Sequence, residues 1–268
     1  MNTQLIKTCL LRALGSKFTA YLQAFRFVFL ILKGRNPDPE FKLMPRFLKK
    51  GDIAVDVGAN GANWTYVLHS CVGKGGFVYA FEADPYYAMA TDIAIKVMRL
   101  KGAHLFSFGL SDKNEECALR VSNEDGLRYS GLGYVDREAD KNDKGTELVK
   151  LVTLDSMTQK YPQILKTALI KCDVEGFELF VFKGASEVLT KARPVVILEA
   201  GNYDTQGYSA KDLYDFFESR NYLSFAMIGN AMIAETNSSL DSDKTISVNR
   251  ILIPLEKIGT VNDLIHSS

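Results

Sequence analysis

Short apolar runs alternate with longer amphipathic stretches along most of the chain. Ile53-Ala54-Val55-Asp56-Val57, Phe77-Val78-Tyr79-Ala80-Phe81, residues 104–108, Ala168-Leu169-Ile170-Lys171-Cys172 and Pro194-Val195-Val196-Ile197-Leu198 are compact apolar segments bounded by turn residues. Such runs predict strands buried on both faces. Between and after them, residues 62–72, 85–101, 156–166, 176–189 and 210–220 read as helices. The second of these opens on Asp84-Pro85, with proline at the first helical position, where its missing N–H costs nothing. The leading strand-helix-strand-helix-strand order predicts a doubly wound, mostly parallel sheet, that is, a Rossmann-like α/β fold. Residues 224–228, 231–235 and 249–253 read as terminal strands.

Two regions depart from this alternation. Residues 1–33 read as helical and end at the turn-rich Gly34-Arg35-Asn36-Pro37-Asp38-Pro39. This divides the chain into an N-terminal helical extension, 1–50, and a main domain, 51–268. Within the extension, residues 21–32 are rich in apolar side chains but too few to span a bilayer, and no small-residue cleavage site follows. The segment predicts a helix packed on the domain or on a second subunit of a homo-oligomer. An interfacial helix in peripheral contact with a membrane is the other reading. Residues 117–121 and 147–153 look extended, and between them 122–145 is polar and dotted with glycine. That pattern predicts an inserted β-hairpin or lid loop, within an insert of about 117–153, beside the ligand pocket.

Composition narrows the function classes. With 268 residues, 47% of them hydrophobic, the chain suits one α/β domain plus a short appendage. Lys+Arg and Asp+Glu are 32 each, so no basic excess points to nucleic acid. Cys9, Cys71, Cys117 and Cys172 show no C-x-x-C spacing. They read as reduced thiols of a cytoplasmic protein, whether or not it sits peripherally on a membrane, and not as a zinc site. His69, His104 and His266 do not follow a strand end, which disfavours a histidine base. No G-x-S-x-G elbow and no phosphate-binding G-x-x-x-x-G-K-[ST] loop occurs.

Ligands of an open parallel sheet bind beyond the carboxyl ends of its strands, so the residues there carry the chemistry. The first strand runs into Asp56-Val57-Gly58-Ala59-Asn60-Gly61, and the second ends on Glu82. A glycine turn with an acid one strand later suits an adenosine ligand. Gly58 and Gly61 lack the third glycine of the dinucleotide fingerprint, and Asp56 would repel a pyrophosphate. A ligand with a cationic amino-acid tail fits better, which describes S-adenosylmethionine. Asp173-Val174-Glu175-Gly176-Phe177-Glu178 follows the fourth strand, and Glu199 follows the fifth. Glu175 and Glu178 share a face if a helix starts there. These carboxylates admit two roles, a proton acceptor or, through Asp173 and Glu199, a divalent-cation site. Glu178 also suits a helix N-terminus through the macrodipole alone.

These motifs together resemble the FkbM-type S-adenosylmethionine-dependent methyltransferases. The resemblance rests on Val55-Asp56-Val57-Gly58-Ala59-Asn60-Gly61 followed by Thr65, on Phe81-Glu82-Ala83-Asp84-Pro85, and on Gly109-Leu110-Ser111-Asp112. It extends through Val152-Thr153-Leu154-Asp155 and the block Lys171-Cys172-Asp173-Val174-Glu175-Gly176-Phe177-Glu178 with Gly184-Ala185, closing on Arg193-Pro194 through Glu199. Ala83 stands where the family has proline. The resemblance implies a class I methyltransferase fold that moves a methyl group to a hydroxyl of a small molecule or a glycan. It further implies that Asp56, Gly58, Ala59, Asn60, Gly61 and Thr65 surround the methionine part of the cofactor and that Glu82 binds the ribose. Ser111 and Asp112 would flank the adenine, with Asp173, Glu175 and Glu199 on the acceptor side and Asp173 also touching the cofactor. Two alternatives stay open: an NAD(P)-dependent oxidoreductase on the same kind of sheet, and an inactive cofactor-binding or assembly module.

Overall fold

A computed structural model describes residues 3–34, 38–123, 127–129, 131–140, 142–199, 206–235 and 249–266. Its centre is a nine-stranded sheet. The strands are β1 (Ile53–Val57), β2 (Phe77–Phe81), β3 (Ala103–Phe106), β8 (Thr167–Cys172), β9 (Val195–Glu199), β10 (Tyr222–Ile228), β11 (Ala231–Ala234), β12 (Asn249–Pro254) and β13 (Ile265–His266). Their order is β13-β11-β10-β12-β9-β8-β1-β2-β3. From β3 to β9 all neighbours are parallel, whereas β12 runs antiparallel to β9 and β10 antiparallel to β12. The chain winds outward from β1 through β2 to β3, then returns to β8 on the other side of β1. That reversal opens a crevice at the carboxyl ends of β1 and β8.

The period-two alternation of each strand divides the core. Val55, Val57, Tyr79 and Phe81 face one layer, with α6 (Glu178–Lys183), α7 (Ser186–Ala192) and α8 (Ala210–Glu218). Ala54, Val78, Leu169 and Ile197 face the other, against Trp64, Leu68 and Val72 of α3 (Asn63–Val72) and against Leu43, Met44 and Leu48 in and around α2 (Met44–Phe47). Each such large side chain contributes about 1.5–3 kcal/mol through burial.

A second sheet of four strands joins β4 (Gly109–Leu110), β7 (Thr146–Val152), β5 (Glu115–Arg120) and β6 (Tyr134–Asp136) in that order. β5 and β7 pair antiparallel, and β6, from within the predicted insert, pairs with β5. Arg128, nearly buried, is paired with both Asp84 and Glu147 and so ties the insert to the start of α4 (Pro85–Val97).

Some helix boundaries differ from the sequence pattern. The stretch 156–166 is not one helix but a short α5 (Leu154–Met157) and a 3-10 turn at Pro162–Lys166. Pro162 holds Tyr161 out of the helical region, at φ −126° and ψ 69°. The stretch 176–189 is split between α6 and α7 at Gly184 and Ala185. β3 stops at Phe106, and β13, only two residues long, left no pattern to read.

The N-terminal α1 (Thr3–Leu32) is interrupted at Gly15, whose φ of 78° and ψ of 160° are non-helical. Beyond that break Ala20, Ala24 and Val28 pack on Tyr86, Tyr87, Ala90 and Ala94. Small side chains four apart on both helices allow this close approach. Tyr86 Oη donates to the carbonyl of Thr19 at 3.3 Å. Among the described residues no helix is long and apolar enough to cross a membrane.

Candidate active site

Strand register sets the site. Val57 pairs with Phe81 on one side and Cys172 on the other, and Cys172 pairs with Leu198. The next residues, Gly58, Glu82 and Asp173, therefore leave the sheet in one row with Glu199, the last residue of β9, neighbouring strands being about 4.8 Å apart. Four positions spread over 142 residues of chain thus meet at one edge. Above this row lies an open cleft of about 970 Å³, counting the space at its solvent mouth.

Gly58 forms the floor. Its φ is +80°, and a Cβ there would lie 1.9 Å from the carbonyl oxygen of Asp173. The glycine lets two loops touch, so that the Gly58 turn and the Asp173 turn share a wall. Asn60 also lines the cleft, and its N–H donates to Glu82 Oε2 at 3.0 Å. The N–H of Asp84 donates to Glu82 Oε1 at 2.9 Å. Each oxygen keeps a further lone-pair direction, so Glu82 is both fixed and able to accept again. Burial pushes its carboxyl up to about 7, although the two backbone N–H groups oppose the shift.

Several predicted cofactor residues lie elsewhere. Asp56 does not line the cleft. It faces α3, as alternation from Val55 and Val57 requires, and Thr65 Oγ1 donates to its Oδ2 at 2.5 Å. Its register partner is the buried Lys171. Thr65 is itself fully buried, so the pair supports the strand-turn from beneath. Burial raises the Asp56 carboxyl to about 6, and its Oδ1 has no hydrogen-bond partner. Ala59 and Gly61 also lie behind the lining. The Ala59 N–H is bound to the Phe81 carbonyl at 3.0 Å, and the Gly61 N–H to Thr91 Oγ1 at 2.9 Å. Gly61 is covered by the Phe27 ring of α1, which a Cβ would meet at 2.6 Å. Ser111 and Asp112 are turned away too: both are hydrogen-bonded to Arg137, and the cleft wall there is Gly109 and Leu110 instead.

Asp173, Glu175 and Glu199 do come together, with ligand atoms all within 4.8 Å of one another. Lys171, 1% exposed, lies beneath them, its Nζ 3.6 Å from Asp173 Oδ2 and 2.8 Å from Asn249 Oδ1. A hydrogen bond that protonated Glu199 donates to the Asp173 carboxylate holds the Glu199 carboxyl well above the usual carboxylate range. Burial and the charges of Asp173 and Glu175 push the same way, while Lys171 opposes them. The pair therefore carries a proton near neutral pH.

Glu175 is not on a helix face with Glu178. It adopts φ 54°, and α6 begins only at Glu178. A left-handed conformation at a non-glycine residue is a local strain, here beside the candidate site. Buried Glu178 holds the turn from below, accepting from the N–H of Val174 at 3.1 Å and of Gly176 at 3.3 Å. Its burial raises its carboxyl to about 7.

The sequence pattern points to a lid over 122–145 beside the pocket but not to the side chains that line it, nor to the apolar wall. Tyr87, Leu119 and Leu151 line the cleft, as do Gly131, Leu132, Gly133 and Val135 of the insert. Leu132 is 56% exposed at the mouth. Only the glycine spacing in 131–133 hinted at close approach. Lys171 was visible in its motif but carried no sign that it would lie buried under Asp173.

Asp56, Glu82 and Glu178 all bind their protons more tightly when folded. Their contribution to stability is complete below the unfolded value near pH 4 and is lost as pH rises through about 6 to 7. The carboxylates with lowered values, such as Asp112 and Asp136, act in the opposite sense but at lower pH. The ligand-free melting temperature is therefore expected to fall by roughly 5–10 °C between about pH 5 and pH 8. Differential scanning fluorimetry across that range checks it, and a flat or rising profile contradicts it.

Sheet order, the crevice at its reversal and the acids at the strand ends define a class I S-adenosylmethionine-dependent methyltransferase fold. Residues 56–224 match the methyltransferase FkbM domain. The chain belongs to the FkbM methyltransferase family. Among solved structures it is similar to the methyltransferase FkbM from Methylobacillus flagellatus KT, at 14% identity and a TM-score of 0.50, over 91% of this chain and 59% of that one. It thus spans less than two thirds of that protein. It is also similar to an O-methyltransferase from Bacillus cereus in complex with SAH, at 12% identity and a TM-score of 0.48, over 87% and 90% of the two chains. No curated protein matches its sequence significantly.

Proposed function

We propose that the cleft binds S-adenosylmethionine and that the protein moves its methyl group to a hydroxyl of a small molecule or glycan. The observation that carries this reading is the acidic lining. Glu82, Asp84, Asp173, Glu175 and Glu199 line the cleft, and no described lining residue is Lys, Arg or His. Asp84 is paired with Arg128 and Glu199 keeps a proton, so the negative charge rests on the other three, with Glu82 only partly ionised at neutral pH. An acidic cleft suits a donor with a sulfonium and an ammonium group. It opposes the pyrophosphate of a nicotinamide dinucleotide, which argues against the oxidoreductase reading.

Glu82 would hold the ribose diol, and the backbone around Gly58 and Asn60 would border the methionine part. S-adenosylmethionine supplies, when bound, a methyl group activated by the sulfonium. The chain's own task is to orient the acceptor and take its proton. Glu199 keeps its proton, and Asp173, beside it and above Lys171, would accept the proton of a hydroxyl.

Asp173→Asn is expected to lower kcat by about 10²- to 10⁴-fold, the usual worth of a positioned base. Binding of S-adenosylhomocysteine should change little. Labelled methyl transfer to a pool of hydroxylated acceptors, with calorimetry alongside, checks both. Unchanged kcat would remove the base assignment. The spacing of Asp173, Glu175 and Glu199 also favours a second reading, a divalent-cation site that orients the acceptor. Chelator in the same assay separates the two: activity that falls and returns with Mg²⁺ supports the cation. No transfer to any acceptor favours a binding module instead.

A further inference from the structure

The N-terminal helix presents an apolar face that the rest of the chain leaves open. Phe18, Tyr21, Leu22, Phe25, Phe29 and Leu32 are 46 to 63% exposed. Their spacing of three, four and seven places all six within an arc of about 100° on α1. The opposite side, through Ala20, Ala24 and Val28, is fixed on α4. Scattered surface apolar residues need no explanation, but a continuous aromatic stripe does.

Charge identifies what covers it. Residues 1–37 contain six basic residues, Lys7, Arg12, Lys17, Arg26, Lys33 and Arg35, and no acidic one. Because the whole chain is neutral, the remainder carries the compensating negative charge. On the helical wheel Lys17 lies on one flank of the apolar stripe and Arg26 and Lys33 on the other, and all three are exposed. Aromatic and leucine side chains between cationic flanks are the makeup of a helix lying in a lipid interface. A two-fold pairing of two copies through α1 would instead bring two acid-free, basic arms together.

We infer that α1 docks the protein onto an anionic membrane surface, with the Phe18–Leu32 stripe in the acyl boundary and Lys17, Arg26 and Lys33 at the headgroups. The docking is rigid with respect to the cleft, because Phe27 of the same helix closes over Gly61 of the cofactor turn. The inference is independent of which acceptor is methylated.

Co-sedimentation of the full chain with vesicles tests it. Binding is expected to phosphatidylcholine vesicles containing phosphatidylglycerol, to be much weaker with phosphatidylcholine alone, and to decline as salt rises. Phe25→Glu with Phe29→Glu should abolish it. Replacing Lys17, Arg26 and Lys33 by Gln should weaken it by on the order of 100-fold at low salt. Unchanged circular dichroism and melting temperature show that these variants fold. No binding to the anionic vesicles, or binding that the double Glu variant retains, overturns the inference. So does sedimentation analysis in which the wild type forms a dimer that the same variant dissolves while vesicles are not bound.

Discussion

Glu82→Ala is expected to weaken S-adenosylhomocysteine binding by on the order of 10²- to 10⁴-fold, because two charge-assisted hydrogen bonds of about 1.5–3 kcal/mol each are lost. The expectation rests on how Glu82 is held. Its two oxygens already accept from Asn60 and Asp84 N–H groups, which aims the remaining lone pairs at the cleft. Removing the carboxylate takes away the proposed ribose acceptor and also unties the Gly58 turn from the start of α4. Glu82→Gln is the finer probe. It keeps one acceptor oxygen but turns an amide against one of the two N–H donors, so its loss should be intermediate. Isothermal titration gives the affinities, and circular dichroism confirms the fold. Undiminished binding by Glu82→Ala would falsify the ribose assignment, whatever the fate of the methyl acceptor.

Gly58→Ala is expected to be severely damaging for the addition of a single methyl group. The new Cβ would stand 1.9 Å from a backbone carbonyl, that of Asp173, and no rotamer can relieve a backbone clash. The φ of +80° adds the ordinary left-handed penalty of about 1–2 kcal/mol. Either the Gly58 turn or the Asp173 turn has to move, and both walls of the cleft move with it. A melting temperature lowered by more than about 10 °C, or failure to fold, is expected. Gly51→Ala is the control. Its φ of +93° is equally unfavourable, yet a Cβ there meets nothing within 4 Å. It should cost only about 2–4 °C. Equal effects of the two substitutions would show that backbone strain, and not the contact between the two turns, governs this position.

The contrast between Gly58 and Asp56 shows what the sequence could convey. Both sit in one motif, two residues apart, and the motif points both at the cofactor. Gly58 does line the cleft, but Asp56 points the other way, to Thr65 and Lys171. The alternation of a strand was enough to say that Asp56 and Val57 face opposite layers. It was not enough to say which layer the cleft favoured. Ser111 and Asp112 likewise sit next to cleft residues, yet Arg137, 25 residues or more along the chain, binds both. An arginine in a polar insert gives no local sign of its partner.

What the sequence by itself determined is the set of buried strands, their winding order and the acids at their ends. Those features are local: a five-residue apolar run and the residue that follows it carry their own signal. The family also followed from such local motifs in order. Tertiary structure alone decided which of those acids meet. Register between β1, β8 and β9 brings Asp173 beside Glu199 and puts Lys171 beneath them. It also decided that Gly131, Leu132, Gly133 and Val135 line the cleft and that one face of α1 stays open. Each of these depends on contacts between segments far apart in sequence, where the energy of a pairing belongs to neither segment alone.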